Sequence, residues 1–128
     1  MKKSALHSIL ASWLLLSYFD CLMRLGGFAR VHEAVRREKM IPEANIHGRD
    51  RELSHAIDLA CVLYFKPVLC LQRSAALALL LRRHGIEAEM VIGAQLLPFL
   101  AHAWVEVGGD AINDKPYVGE IFQVLERC

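Results

Sequence analysis

Apolar positions between Ser4 and Leu25 do not keep to one stripe: Leu6, Ile9, Leu10, Trp13, Leu14, Leu16 and Phe19 spread around much of a helical surface. So broad an arc predicts a helix that packs on more than one side or meets a partner. Gly26 and Gly27 end it. A second, amphipathic helix is expected from Phe28 to Lys39, with Phe28, Val31, Ala34 and Val35 on one side and a solvated charged face elsewhere. Met40 to Gly48, with Pro42 and Asn45, reads as a loop. From Arg49 to Phe65 the three-four spacing of Leu53, Ala56, Ile57, Ala60 and Tyr64 predicts a third helix with a core stripe. Pro67 breaks it. Leu69 to His84 is again helical, with Arg82 and Arg83 favouring its last turn through the helix dipole and Gly85 as its stop.

Beyond that stop the period changes. Glu87 to Gln95 and Ala101 to Val107 are strand-like, joined around Pro98, and Gly108, Gly109 and Asp110 turn the chain into a short strand from Ala111 to Asp114. Three strands after several helices predict segregated layers, an α+β fold rather than alternating βαβ units. A length of 128 residues suits a single domain, residues 1–128, with a real core.

Charge and cysteines narrow the function. A net charge of +1 with mixed signs makes no electrostatic case for nucleic acid. Cys21, Cys61, Cys70 and Cys128 follow no disulfide framework or C-x-x-C pattern, so free thiols in a reducing cytoplasm are expected. Cys61 adjoins the third helix's stripe and reads as a small buried hydrophobe; His47 and His55 lack metal-ligand partners. Lys2 and Lys3 before an apolar run resemble the start of a signal peptide, but no small-residue cleavage site follows. The uncharged stretch Ser4–Phe19 is short for a span of about 20 residues. It reads first as a buried helix, with a membrane-surface or partner contact as the alternative.

The chemistry-bearing residues lie in the second half. Cys70 falls near a helix amino terminus, where unpaired N–H groups and the positive dipole end favour a thiolate and could hold an oxyanion. On the second strand Ala101, Ala103, Val105 and Val107 form one face, and His102, Trp104 and Glu106 the other. The first set suits the packed face, which leaves His102 on the face open to function. Trp104 could be core cover or the wall of a substrate groove. Cys70, His102 and Asp114 are then the types of a nucleophile, its base and the group that orients the base. Hairpin parity sharpens this. A two-residue Gly108-Gly109 loop sets Ala103 against Asp114, on the side away from His102. A three-residue loop or a bulge puts Asp114 on the same face as His102. An odd loop or bulge is therefore expected, with an Asp114–His102 hydrogen bond; Asn113 and Glu106 are the other orienting candidates.

The run CLQRSAALALLLRRHGIEAEMVIG, followed by PFLAHAWVEVGGDAIND, closely resembles the lasso-peptide biosynthesis B2 proteins, leader peptidases of the transglutaminase-like, papain-related superfamily. The resemblance covers Leu69 to about Leu125. It implies a Cys-His-Asp protease that cuts the leader from a ribosomally made precursor, with the triad on Cys70, His102 and Asp114. It also implies a small leader-recognition partner (the B1 component), an ATP-using macrolactam synthetase that closes the ring afterwards, and no metal or organic cofactor. Gln72 is too weakly placed to assign to an oxyanion hole. A transglutaminase-like amidase or acyltransferase would keep the triad and change the acceptor, and a non-catalytic scaffold would need neither.

Overall fold

The computed structural model describes residues 3–38, 49–96 and 98–128; the expected loop at 40–48, with His47, lies outside the described residues. Helix α1 spans Lys3–Arg37, α2 Arg49–Leu63 and α3 Cys70–Arg83, followed by β1 (Glu89–Leu96), β2 (Phe99–Val107), β3 (Asp110–Ala111), α4 (Val118–Ile121) and β4 (Gln123–Arg127). The two expected amino-terminal helices are the two halves of α1. They meet at Gly27, whose φ of 66° and ψ of −158° break the helical path in a region open chiefly to glycine. Both halves feed one core: Leu15, Leu16 and Phe19 from the first, Val31 and Val35 from the second, all buried. The broad apolar arc is only partly used, since Leu6, Leu10, Leu14 and Tyr18 remain about half exposed along one i, i+4 row. The buried Ser12 tolerates its surroundings by donating to the Ser8 carbonyl at 2.7 Å.

Helix α3 is the centre of the fold. Ala75 to Leu81 are all buried, because α1 and α2 pack on one side of it and the sheet on the other. Three alanines in that run allow the sheet a close approach. Arg82 lies in the helix's last turn, as expected, and is buried. Its guanidinium donates to the carbonyls of Val35, Glu38, Ala88 and Cys128 at 2.6, 3.1, 3.0 and 2.7 Å, tying together the end of α1, the approach to β1 and the end of β4.

Among the described residues the sheet has four strands in the order β3-β2-β1-β4, where three were expected. The extra strand pairs antiparallel with β1, and its register slips between Ile92 and Gly93, so that Ile92 faces Glu126 and Gly93 faces Val124. Side-chain alternation on β2 is as expected from Ala103 onward, whereas Ala101, also expected on the packed face, is exposed. Ala103 and Val105 join the helical core, while Trp104 joins a second, smaller core on the opposite face with Val91 and Val118. Segment 115–124 covers that outer face.

Candidate active site

Cys70 is the first residue of α3 and is partly buried. Leu69 stands at the cap position and offers no side-chain hydrogen bond, so the first-turn N–H groups keep their capacity for a ligand. Two side chains of the CLQRS run hold this end of the helix. Arg73 is ion-paired with Asp58 of α2. Ser74, one turn after Cys70, donates from Oγ to the Ala103 carbonyl of β2 at 3.1 Å.

His102 pairs across the ladder with Gly93 and projects from the outer face. Its Nε2 is hydrogen-bonded to Oδ2 of Asp114, the partner expected. The other carboxylate oxygen, Oδ1, accepts the Lys115 N–H at 2.7 Å, which fixes the carboxylate plane. A carboxylate on Nε2 places the ring proton there, leaving Nδ1 as the acceptor available to a thiol. No hydrogen bond joins Cys70 to His102. The imidazole is backed by Phe122, with ring centroids 5.0 Å apart, and by Trp104 at 5.9 Å. His102 and Asp114 keep about a quarter and a fifth of their side-chain surface open.

The hairpin register reaches this contact by a route other than the expected one. Val107 faces Asp110 and Glu106 faces Ala111, so the loop is the two-residue Gly108-Gly109 turn, with φ of 61° and 87°. Continued regularly, that register would put Asp114 on the helix side. It does not continue. Ile112 N–H still bonds the Val105 carbonyl at 3.0 Å, but the reciprocal Val105 N–H is taken by the side chain of Asn113, Oδ1, at 2.8 Å. The backbone thereby leaves the ladder one step early, and Asp114 turns to the His102 face.

The other candidates have different partners. Trp104, read as a substrate-binding candidate, is 0% exposed and therefore lines no groove. Its Nε1–H donates to Glu106 at 2.9 Å, and Glu106 is paired with Arg127 at 2.6 Å. Glu106 is thus committed to Trp104 and does not orient His102; nor does Asn113. Burial alone would raise the Glu106 carboxyl, but the hydrogen bonds from Arg127 and Trp104 outweigh it and hold the group below its ordinary value. Gln72 is buried, with its Oε1 unpartnered. The cysteines are all free thiols, and burial pushes Cys61 and Cys128 above the ordinary thiol value. Phe122 and the Ser74–Asn113 contact are parts of the site that residue types alone did not indicate.

A thiol at an uncapped helix start and a carboxylate-paired imidazole on the sheet that this helix packs against define a class. Residues 15–127 match the transglutaminase-like superfamily, and the chain belongs to it. It is also 45% identical over 109 residues to the microcin J25-processing protein McjB of Escherichia coli. That alignment takes in 84% of this chain and 52% of the relative, so the chain spans about half the length of the curated relative it matches. No solved structure matches it.

Proposed function

We propose that this chain is a cysteine peptidase that removes the leader from a ribosomally made lasso-peptide precursor. A small leader-recognition protein presents the precursor, and an ATP-dependent macrolactam synthetase uses the amine released. The observation that carries the reading is the hydrogen bond of Asp114 to the His102 ring, on the sheet against which the helix beginning at Cys70 packs. Similarity to a microcin-processing protein supports the substrate class. Exposed apolar side chains precede both reacting residues: Phe65 and Leu69 before Cys70, Phe99 and Leu100 before His102. They suit an extended peptide laid across the two elements.

In this chemistry Nδ1 of His102 takes the Cys70 proton as the sulfur attacks the scissile carbonyl carbon. The first-turn N–H groups of α3 hold the oxyanion. The imidazolium, stabilised by Asp114, returns its proton to the amide nitrogen as the C–N bond breaks, freeing the amine of the core peptide. Water, losing a proton to neutral His102, then attacks the thioester, and the leader departs as a carboxylate. The test combines precursor, recognition partner and this protein and follows leader release by mass. Cys70→Ala should abolish release with the fold intact. A folded Cys70→Ala protein that still cuts the same bond overturns the proposal.

A further inference from the structure

Three side-chain hydrogen bonds close a ring around the elements that carry Cys70, His102 and Asp114. Ser74 Oγ donates to the Ala103 carbonyl at 3.1 Å, Asn113 Nδ2 donates to Ser74 Oγ at 3.2 Å, and the Val105 N–H donates to Asn113 Oδ1 at 2.8 Å. The amide orientation follows from chemistry: a backbone N–H can only donate, so the oxygen must face Val105 and the nitrogen Ser74. One hydroxyl and one carboxamide therefore connect α3, β2 and the segment after β3. Each anchor sits beside a reacting group. Ser74 is one helical turn from Cys70, Ala103 follows His102, and Asn113 precedes Asp114.

We propose that Ser74 and Asn113 are positioning residues that together set the thiol, the imidazole and the carboxylate in one register; the proposal rests on the thiol-peptidase reading above. Asn113 does two things that no apolar residue could. Its oxygen substitutes for the Ile112 carbonyl on the Val105 N–H, which lets the backbone leave the ladder and rotates Asp114 to the His102 face. Its nitrogen fixes that departure to the helix bearing the nucleophile. Without the oxygen, Val105 N–H would recapture Ile112, the hairpin would continue, and Asp114 would turn toward the helices. Without the Ser74 hydroxyl, both the direct tie to Ala103 and the tie through Asn113 are lost, and α3 can slide along the sheet by the small distance that separates a reactive pair from an idle one.

The experiment measures iodoacetamide alkylation of each cysteine by peptide mass at pH 7, with exposed Cys21 as the internal reference, beside leader cleavage and thermal unfolding. The variants are Ser74→Ala, Asn113→Ala, Asn113→Asp and Ser74→Thr. Asn113→Asp keeps an oxygen for Val105 and removes the donor to Ser74, so it isolates the helix tie. In folded protein the Cys70:Cys21 labelling ratio should fall about tenfold or more for the first three. kcat should fall with it, KM staying within about twofold because the peptide-binding surface is untouched. Ser74→Thr, which keeps the hydroxyl, should restore the ratio. The Ser74→Ala/Asn113→Ala double variant should lose less than the product of the two single losses, because the two changes share the Ser74–Asn113 bond. Variants that unfold earlier yet keep the parental ratio and kcat in their folded state overturn the positioning role. If parental Cys70 labels no faster than Cys21, the thiol-peptidase reading itself fails, which is a different result from an unresponsive ring.

Discussion

A single methyl group at Gly93 should disturb the backing of His102. Gly93 lies under the indole of Trp104, at the register slip between β1 and β4. A Cβ there would stand 2.8 and 2.9 Å from two ring carbons of Trp104 and 3.0 Å from the Gln123 carbonyl oxygen. Ordinary contact begins near 3.4 Å, so the ring would have to retreat by about 0.6 Å. It has little room. The indole is fully buried, its N–H is held by Glu106, and Glu106 is held in turn by Arg127. Overpacking of this kind costs about 1–3 kcal/mol. At roughly 3–5 °C per kcal/mol for a chain of this size, Gly93→Ala should lower Tm by about 3–15 °C. The leader-cleavage rate should fall too, because Trp104 backs the imidazole. Gly119→Ala is the control: its Cβ meets nothing within 4 Å, and Tm should stay within about 2 °C of the parent. Thermal unfolding by circular dichroism reads both. A Gly93→Ala protein that melts with the parent would refute the close packing on which this reasoning depends.

His102→Ala should remove cleavage almost as completely as Cys70→Ala, whereas Asp114→Ala should leave measurable single-turnover activity, about 10³–10⁴-fold down, since nucleophile and base both remain; parental rates in Asp114→Ala would dismiss the orienting role. Glu106 supplies an acid dependence. Its folded carboxyl lies below the ordinary 4.5, so its stabilisation is complete above that value and disappears as pH falls through the lower folded one. Glu106→Gln should therefore lose less Tm than the parent between pH 5 and roughly pH 3, and parallel curves would show that the Arg127 and Trp104 bonds do not set this carboxyl.

Much of this arrangement was legible because it rests on local rules. The Gly27 break, the start of α3 just after Pro67 and the two faces of β2 follow from glycine and proline chemistry and from strand alternation. The His102–Asp114 contact was foreseen, but its mechanism was not: parity counting treats every residue after a turn as backbone, and Asn113 enters the ladder with its side chain. That Trp104 stayed open between core cover and groove wall, and that a strand was missed, share one cause. Gln123–Arg127 is short, exposed at most positions and weakly alternating, so it carries little strand signal until β1 provides an edge. With β4 and the segment before it unseen, nothing indicated that the outer face of β2 would be covered. Arg82 is a similar case: four carbonyl acceptors from distant segments make its burial possible, and no local pattern announces them.

The site's residues lie at very unequal distances along the chain, and this bears on when the chemistry becomes available. His102 and Asp114 belong to one hairpin and its exit, 12 residues apart, whereas Cys70 lies 32 residues before His102. Closing the longer loop costs about 0.9 kcal/mol more in chain entropy alone, and it also requires α3 to dock on the finished sheet. During folding the His102–Asp114 pair can therefore assemble early, while Cys70 takes its place only when the helical layer closes over the strands. Under the proposed function, a chain ordered in this way would stay chemically silent through the partly folded stages in which its own exposed segments would be the nearest substrates.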